Sequence, residues 1–163
     1  LMLFDKYKIP TLESTLNKFP DTFFQIDVKT HEAVLPALEV IKKTNSINNV
    51  CLASFSSKRL KQVHNLHPEI CLSMGPLEVM KLLLASFNLY KKKVPGNCLQ
   101  IPIYQYGIKL VTKRFINYVH SIGLKIHVWT INDEDTMLKL IDLGVDGIIT
   151  DRPKTLKDLL SRH

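Results

Sequence analysis

The chain has 163 residues, of which 45% are hydrophobic and 23% are charged, so it can bury one core and does not resemble a disordered chain. Its 22 Lys and Arg outnumber its 15 Asp and Glu, and the net charge of +7 either favours anionic partners or serves solubility on helix surfaces. Three Cys without a CxxC pair argue against a disulfide framework, and no apolar run reaches the ~18 residues that span a bilayer.

Strand-like and helix-like hydropathy periods alternate along the chain. The predicted strands are residues 23–29, 50–55, 70–74, 99–104, 125–130 and 145–150. The predicted helices are residues 32–44, 57–65, 76–90, 112–122, 133–143 and 153–160. No linker or low-complexity run separates these segments, so we expect a single domain over residues 1–163. Strands that alternate with helices in this way predict an α/β fold with a parallel sheet.

The polarity of the first predicted strand favours a TIM (β/α)8 barrel over an open sheet. Phe24, Ile26 and Val28 form an apolar face that would meet the helices, whereas Asp27 and Lys29 lie on the opposite, inward face. A central strand of an open sheet is apolar on both faces. A complete barrel takes about 250 residues. We therefore expect an incomplete barrel, with about six of the eight strand–helix units.

Asp27 and Lys29 are the first candidate site residues. They point the same way at the carboxyl end of a predicted strand, where active sites of barrels lie. In a functional interpretation, Asp27 helps to hold a hard divalent cation and Lys29 binds a phosphate. In a structural interpretation, the two side chains form an ion pair inside the barrel.

Trp129 ends the strand predicted over residues 125–130 and is the single Trp of the chain. Its flat ring could form one wall of a ligand pocket, or it could simply pack in the core. His127 would lie inward but below the rim, which is more typical of an interior histidine than of a catalytic one.

Two features of the region around residues 77–93 bear on partners. The basic run at residues 91–93 has no groove-reading motif beside it, so we expect no nucleic-acid partner. The apolar helical stretch before it could lie on an anionic membrane surface, or it could be a core-facing barrel helix with a basic end.

Four segments together resemble the glycerophosphodiester phosphodiesterase family. These segments are residues 9–13 (IPTLE), 26–29 (IDVK), 54–55 (SF), and the closing pair 127–132 (HVWTIN) and 144–153 (GVDGIITDRP). The closing pair is the most specific part, and the resemblance covers essentially the whole chain, with residues 77–97 the least similar to the family.

This resemblance implies a TIM barrel that hydrolyses glycerophosphodiesters to an alcohol and glycerol 3-phosphate with a divalent cation, Ca²⁺ or Mg²⁺. By motif, Asp27 would be a metal-ligating carboxylate and Lys29 a catalytic residue in contact with the phosphate. Phe55 and Trp129 would bind the glycerol side of a small-molecule phosphodiester.

Two departures from the family pattern shape these expectations. The family usually has Glu where this chain has Asp27, and the family's His-Arg-Gly and Glu-x-Asp segments do not occur here. Those segments belong to the first two barrel strands. We therefore expect the chain to be the C-terminal two-thirds of the enzyme, with the first two strand–helix units missing and little activity by itself.

Two alternatives stay open. Asp27, together with residues 3–6 (LFDK) and 8–10 (KIP), resembles the membrane-associated branch of the family, which predicts lysophospholipase D cleavage of lysophospholipids to lysophosphatidic acid. The chain could instead be a non-catalytic module that binds a phosphate or a lipid. The expected location is the cytoplasm or a membrane surface, with possible peripheral membrane contact.

Overall fold

The computed structural model describes the backbone of residues 2–3 and 7–162 and the side chains of residues 8–162, so most of the motif at residues 3–6 lies outside the described residues. The chain divides into two compact units, Leu1–Leu72 and Ser73–His163. Each unit combines helices with a parallel sheet, which confirms the predicted α/β class with parallel strands. The single domain and the incomplete barrel stay predictions.

The first unit contains a short antiparallel pair followed by a three-stranded parallel sheet. Its elements are β1 (Met2–Leu3), β2 (Tyr7–Lys8), α1 (Leu12–Lys18), β3 (Phe24–Asp27), α2 (Val34–Lys43), a 3-10 turn (Ile47–Asn49), β4 (Val50–Ala53), α3 (Ser57–Leu66) and β5 (Cys71–Leu72). The sheet order is β3-β4-β5, so consecutive strands are neighbours. Asp27 pairs with Ala53 in the register, and Cys51 pairs with Cys71.

The second unit contains another three-stranded parallel sheet and a short hairpin. Its elements are α4 (Pro76–Ser86), β6 (Cys98–Ile101), β7 (Tyr104–Gln105), β8 (Ile108–Lys109), α5 (Lys113–Ser121), β9 (Lys125–Val128), α6 (Glu134–Leu143), β10 (Gly147–Ile148) and α7 (Pro153–Leu160). The sheet order is β6-β9-β10. Ser73 forms an isolated parallel bridge with Cys98 at the start of β6.

Each unit has its own apolar core, built from one face of its strands and the facing sides of its helices. In the first unit Phe24, Ile26 and Val28 pack into this core, as the alternation along the strand predicts. In the second unit Ile126 and Val128 of β9 are fully buried. Among the described residues, none of the helices combines the length and the hydrophobicity needed to cross a bilayer.

Local side-chain chemistry explains where most helices begin. Thr11, Ser56, Thr112 and Asp133 each precede a helix and accept a backbone N–H from its first turn, which satisfies a donor that the helix itself leaves unpaired. The N-cap of α6 is thus Asp133.

The structure differs from the sequence prediction in several segments. The helix α1 was not predicted, and the strands predicted over residues 70–74 and 145–150 are limited to Cys71–Leu72 and Gly147–Ile148. The helix predicted over residues 76–90 ends at Ser86, because Asn88 takes a positive φ of 62° that stops the helix. After β6, a hairpin replaces the end of the predicted strand. Tyr106 and Gly107 both have positive φ there, which is the geometry of a two-residue turn between antiparallel strands.

Asp146 ties the beginning of β9 to the helix α5. One carboxylate oxygen accepts the Ile126 N–H and contacts His120 Nε2, both at 2.9 Å, and the other lies 3.5 Å from Lys125 Nζ. Partial burial acts to raise the pKa of Asp146. The Ile126 N–H, the His120 hydrogen bond and the positive charges of His120 and Lys125 outweigh that burial and hold the pKa below its ordinary value.

This depressed pKa predicts a pH-dependent contribution to stability. The contribution is fully present above the ordinary pKa of an aspartate and is lost as the pH falls through the lower, folded-state value. Asp146→Asn should remove part of the acid sensitivity and cost about 1–3 kcal/mol at neutral pH. Urea unfolding of both proteins between pH 3 and pH 7 measures this, and parallel stability curves would contradict it.

Gly147 allows the ring of His127 to pack against β10. The two residues are partners in the parallel register, and a Cβ at position 147 would lie 2.8 Å from His127 Cδ2. Contacts this short require the ring or the strand to move. Glycine at this position therefore lets the imidazole lie directly over the neighbouring backbone.

We predict that Gly147→Ala destabilises the fold by about 1–3 kcal/mol, the usual cost of overpacking. The double variant Gly147→Ala/His127→Ala should recover part of that loss, because the clashing ring is gone. Thermal or urea unfolding of the two single variants and the double variant checks the coupling. Strictly additive effects would show that the ring is not the cause.

Candidate functional site

Three of the predicted site residues meet at the carboxyl ends of β3 and β4. The Lys29 ammonium forms an ion pair with the Asp27 carboxylate, and Lys29 Nζ lies 5.7 Å from the centroid of the Phe55 ring. The Lys29 side chain is 71% exposed and that of Asp27 is 33% exposed. The cation is thus steadied by a carboxylate and an aromatic face while it stays open to an anion from solvent.

The alternation along β3 places these groups on the face away from the core. Val28 is buried between Asp27 and Lys29, and its N–H donates to Ala53 O at 2.8 Å, which continues the ladder beyond the assigned strand. Because successive side chains of a strand point to opposite faces, burial of Val28 against the helices places its two neighbours together on the other face of the sheet. The ion pair is therefore fixed by the packing of the strand.

A buried hydroxyl joins the ends of the two strands. Ser54 Oγ donates to Val28 O at 2.9 Å and accepts the Ser56 N–H at 3.3 Å and the Arg59 Nε–H at 2.8 Å. One side chain thus links the segment that carries Lys29 to the segment that carries Phe55. This bracing limits the movement of both residues relative to each other.

Arg59 and Glu32 belong to this edge as well, and the sequence analysis did not single out either residue. Arg59 lies in the first turn of α3, where the Ser56 cap brings its side chain back to Ser54. Hydrogen bonds from its own backbone and from Thr30, together with the charges of His31 and Arg59, hold the pKa of Glu32 below its ordinary value. The sequence feature that could have indicated Arg59 is its position in the first turn of a helix capped by Ser56, four residues after Phe55.

Trp129 follows β9 in the second unit. Its side chain is half-buried, and its backbone N–H donates to Ile101 O at 3.1 Å. The peptide bond from Trp129 to Thr130 is cis. Trp129 shares the face of His127, and both lie opposite the buried Ile126 and Val128. The predicted location at the carboxyl end of a parallel strand is confirmed, whereas the meeting of Trp129 with the other three residues stays a prediction.

Asn132 braces the loop that carries Trp129. Its Oδ1 accepts Thr150 Oγ1 at 3.0 Å and the Asp151 N–H at 2.9 Å, and its Nδ2 donates to Asp151 Oδ2 at 2.9 Å. These bonds connect the segments after β9 and β10, which are the two parts of the closing motif. Asn132 therefore holds two loop ends together and does not cap α6.

Comparison with known proteins gives this arrangement a family. The family model described as "Glycerophosphoryl diester phosphodiesterase family" matches residues 5–155, which is most of the chain. The "Probable glycerophosphodiester phosphodiesterase 2" of Mycobacterium tuberculosis is 34% identical over 158 residues, covering 93% of this chain and 60% of that protein. The human "Lysophospholipase D GDPD1" is 21% identical, covering 94% of this chain and 57% of that protein.

Solved structures agree in fold. A glycerophosphodiester phosphodiesterase from Parabacteroides distasonis matches with a TM-score of 0.73 and 21% identity, over 99% of this chain and 68% of that one. A phosphodiesterase from Oleispira antarctica, solved in complex with sn-glycerol-3-phosphate, matches with a TM-score of 0.70 and 20% identity, over 94% of this chain and 62% of that one. Such neighbours have a TIM-barrel fold. The chain spans about three-fifths of the length of the curated relatives, and it belongs to the glycerophosphoryl diester phosphodiesterase family.

Proposed function

We propose that this chain supplies part of the active site of an enzyme that hydrolyses glycerophosphodiesters to an alcohol and glycerol 3-phosphate. The observation that carries the proposal is the Lys29 ammonium, held between the Asp27 carboxylate and the Phe55 ring at the carboxyl ends of parallel strands. Membership of a family of phosphodiesterases supports the proposal. In this proposal, Lys29 and its two neighbours bind the phosphate.

Lys29 is proposed to bind the phosphodiester and to stabilise its charge during hydrolysis. A charge-assisted contact from an ammonium to a phosphate oxygen strengthens as negative charge develops on that oxygen. The ion pair between Asp27 and Lys29 holds the ammonium at the end of the strand. A phosphate that approaches from solvent replaces part of that interaction, because the Lys29 side chain is largely exposed.

Phe55 and Trp129 are proposed to bind the glycerol side of the substrate. The Phe55 ring is 62% exposed, although it is a large apolar side chain, and it lies beside the proposed phosphate-binding cation. An exposed aromatic ring next to a cation suits a ligand whose carbon-bound hydrogens lie next to its charged group. Trp129 offers a second aromatic surface at a strand end.

Enzymes of this family generally use divalent cations, and Asp27 is proposed as one oxygen ligand. A hard cation such as Ca²⁺ or Mg²⁺ takes about six or more oxygen ligands. Within either unit, no three His, Asp or Glu side chains among the described residues lie close enough together to share an ion. We therefore propose that further oxygen ligands for Ca²⁺ or Mg²⁺ come from outside the described residues.

We also propose that the chain has an incomplete TIM (β/α)8 barrel fold and corresponds to the C-terminal two-thirds of the enzyme. Support comes from the sequential order of the strands in each sheet and from the three-fifths coverage of the relatives. In this proposal the missing cation ligands and the groups that transfer protons belong to the first two strand–helix units.

A second candidate function is the lysophospholipase D reaction, which releases lysophosphatidic acid from lysophospholipids. The observation in its favour is the similarity to human and rodent proteins named Lysophospholipase D, at 21–23% identity. The same cation and aromatic rings would serve both substrates, since both are phosphodiesters of glycerol. The proposed location is accordingly the cytoplasm or a membrane surface.

Lys29→Ala in the full-length enzyme should lower the rate of glycerol 3-phosphate release from glycerophosphocholine by orders of magnitude. Lys58→Ala, which removes an exposed Lys on α3 of the same unit, is the matched control and should leave the rate nearly unchanged. Circular dichroism confirms that both variants fold. Full activity of Lys29→Ala would assign Lys29 to a structural ion pair.

The isolated 163-residue chain should release no glycerol 3-phosphate above background with either Ca²⁺ or Mg²⁺. The physical reason is the shortage of oxygen ligands around Asp27. The measurement is an end-point assay on folded protein, with the full-length enzyme as the positive control. Robust, metal-dependent release by the chain alone would disprove the incomplete site, and His127 would then become the first residue to substitute.

A further inference from the structure

The helix α4 carries an apolar stripe on the side that faces solvent. Its buried side consists of Val79, Leu82 and neighbouring residues, as expected for a helix packed on a sheet. Leu77, Met80 and Leu84 follow one another at spacings of three and four residues, so they share the opposite side of the helix, and they are 62%, 37% and 39% exposed. A helix that is apolar on both sides usually has something to cover its second side.

The turn after α4 extends this stripe beyond the helix. Asn88 has a φ of 62°, and the Leu89 N–H returns to Leu84 O at 3.0 Å, which closes the helix in an ordered cap. Such caps commonly bury the residue that follows the left-handed position. Here Leu89 is 72% exposed and Phe87 is 49% exposed. The turn therefore holds two large apolar side chains out into solvent.

Positive charge surrounds the end of the stripe. Arg114 donates to Ser86 O at 2.9 Å, and its guanidinium lies 4.1 Å from the centroid of the Phe87 ring. Lys91, Lys92 and Lys93 follow the turn, and all three are exposed. Exposed apolar side chains and cations thus follow one another over residues 77–93, and Arg114 of α5 adds a further cation beside Phe87. We call the exposed side chains of residues 77–93, together with Arg114, the α4 patch.

We propose that the α4 patch docks peripherally on a bilayer that contains anionic lipids. Lys91–93 and Arg114 would attract the phosphates and carboxylates of anionic lipids. The apolar side chains would enter the acyl region beneath those headgroups. The cations flank the apolar tips on the chain that follows them, where headgroups would lie if Leu89 and Phe87 entered the interface. This docking is independent of the proposed hydrolysis, since no member of the patch belongs to the candidate site.

The test is cosedimentation of the purified chain with vesicles of phosphatidylcholine and with vesicles that also contain 30% phosphatidylserine. Binding should require the anionic lipid and weaken with added salt. Lys91→Gln/Lys92→Gln/Lys93→Gln should weaken binding by about 100-fold, because each Lys near an anionic surface strengthens binding by about fivefold. The control Lys58→Gln/Lys61→Gln/Lys154→Gln removes the same charge elsewhere and should cause a much smaller loss.

The apolar part of the patch has its own variants. Leu84→Gln/Leu89→Gln should weaken vesicle binding by at least about tenfold, because it removes two side chains that would leave water. The matched control is Leu35→Gln/Leu138→Gln, which changes exposed leucines on α2 and α6. If both double variants lose the same amount of vesicle binding, the proposal is wrong. It is also wrong if the unaltered chain does not bind anionic vesicles.

Depth distinguishes docking from simple electrostatic adsorption. The tryptophan fluorescence of Leu89→Trp should be quenched by brominated lipids and should shift to shorter wavelength on binding. The fluorescence of Leu138→Trp should show neither change beyond the signal of Trp129, which both variants share. If Leu89→Trp responds no more than Leu138→Trp, the patch does not enter the interface and the proposal fails. If light scattering shows instead that Leu84→Gln/Leu89→Gln abolishes a dimer and leaves vesicle binding intact, the patch is a protein interface and the proposal is wrong.

Discussion

The geometry of the candidate site depends on the burial of Val28 and its apolar partners on one face of β3. A strand has two faces and a period of two, so the side that packs against the helices decides what the other side presents. With Phe24, Ile26 and Val28 in the core, Asp27 and Lys29 share the other face at the strand end. A shift of one residue in register would bury the ion pair and expose the core residues.

The second constraint is that the polar groups of the loops beyond the strand ends need hydrogen-bond partners, and side chains supply some of them. Ser54 performs this bracing in the first unit and Asn132 in the second, each with bonds to the segment after a neighbouring strand. One is a hydroxyl and the other an amide, but both join the segments that follow two neighbouring strands. Each uses a small polar side chain to satisfy loop groups that would otherwise be held by water alone. The aromatic candidates Phe55 and Trp129 each lie close in sequence to such a brace.

What the sequence could predict follows from the range of the interactions concerned. Among the described residues, short apolar segments identified the six strands of the two parallel sheets, and the faces of β3 and β9 followed from alternation, because burial there acts on every second residue. It missed the hairpin β7–β8 and the early end of α4, both of which depend on single residues with positive φ. It also missed Arg59, whose role depends on a contact with Ser54 that becomes visible once α3 has formed.

The candidate site and the α4 patch use cations in opposite surroundings, and this difference matters for a lipid substrate. Lys29 is paired with a carboxylate, so an anion must compete with Asp27 to reach it, which favours a specific and well-placed phosphate. In the α4 patch the cations accompany exposed apolar side chains, so a diffuse anionic surface can engage them together. The first arrangement favours recognition of one headgroup, and the second favours residence on a surface. A phosphodiester that is itself a membrane lipid would make use of both, whereas a water-soluble glycerophosphodiester would need only the first.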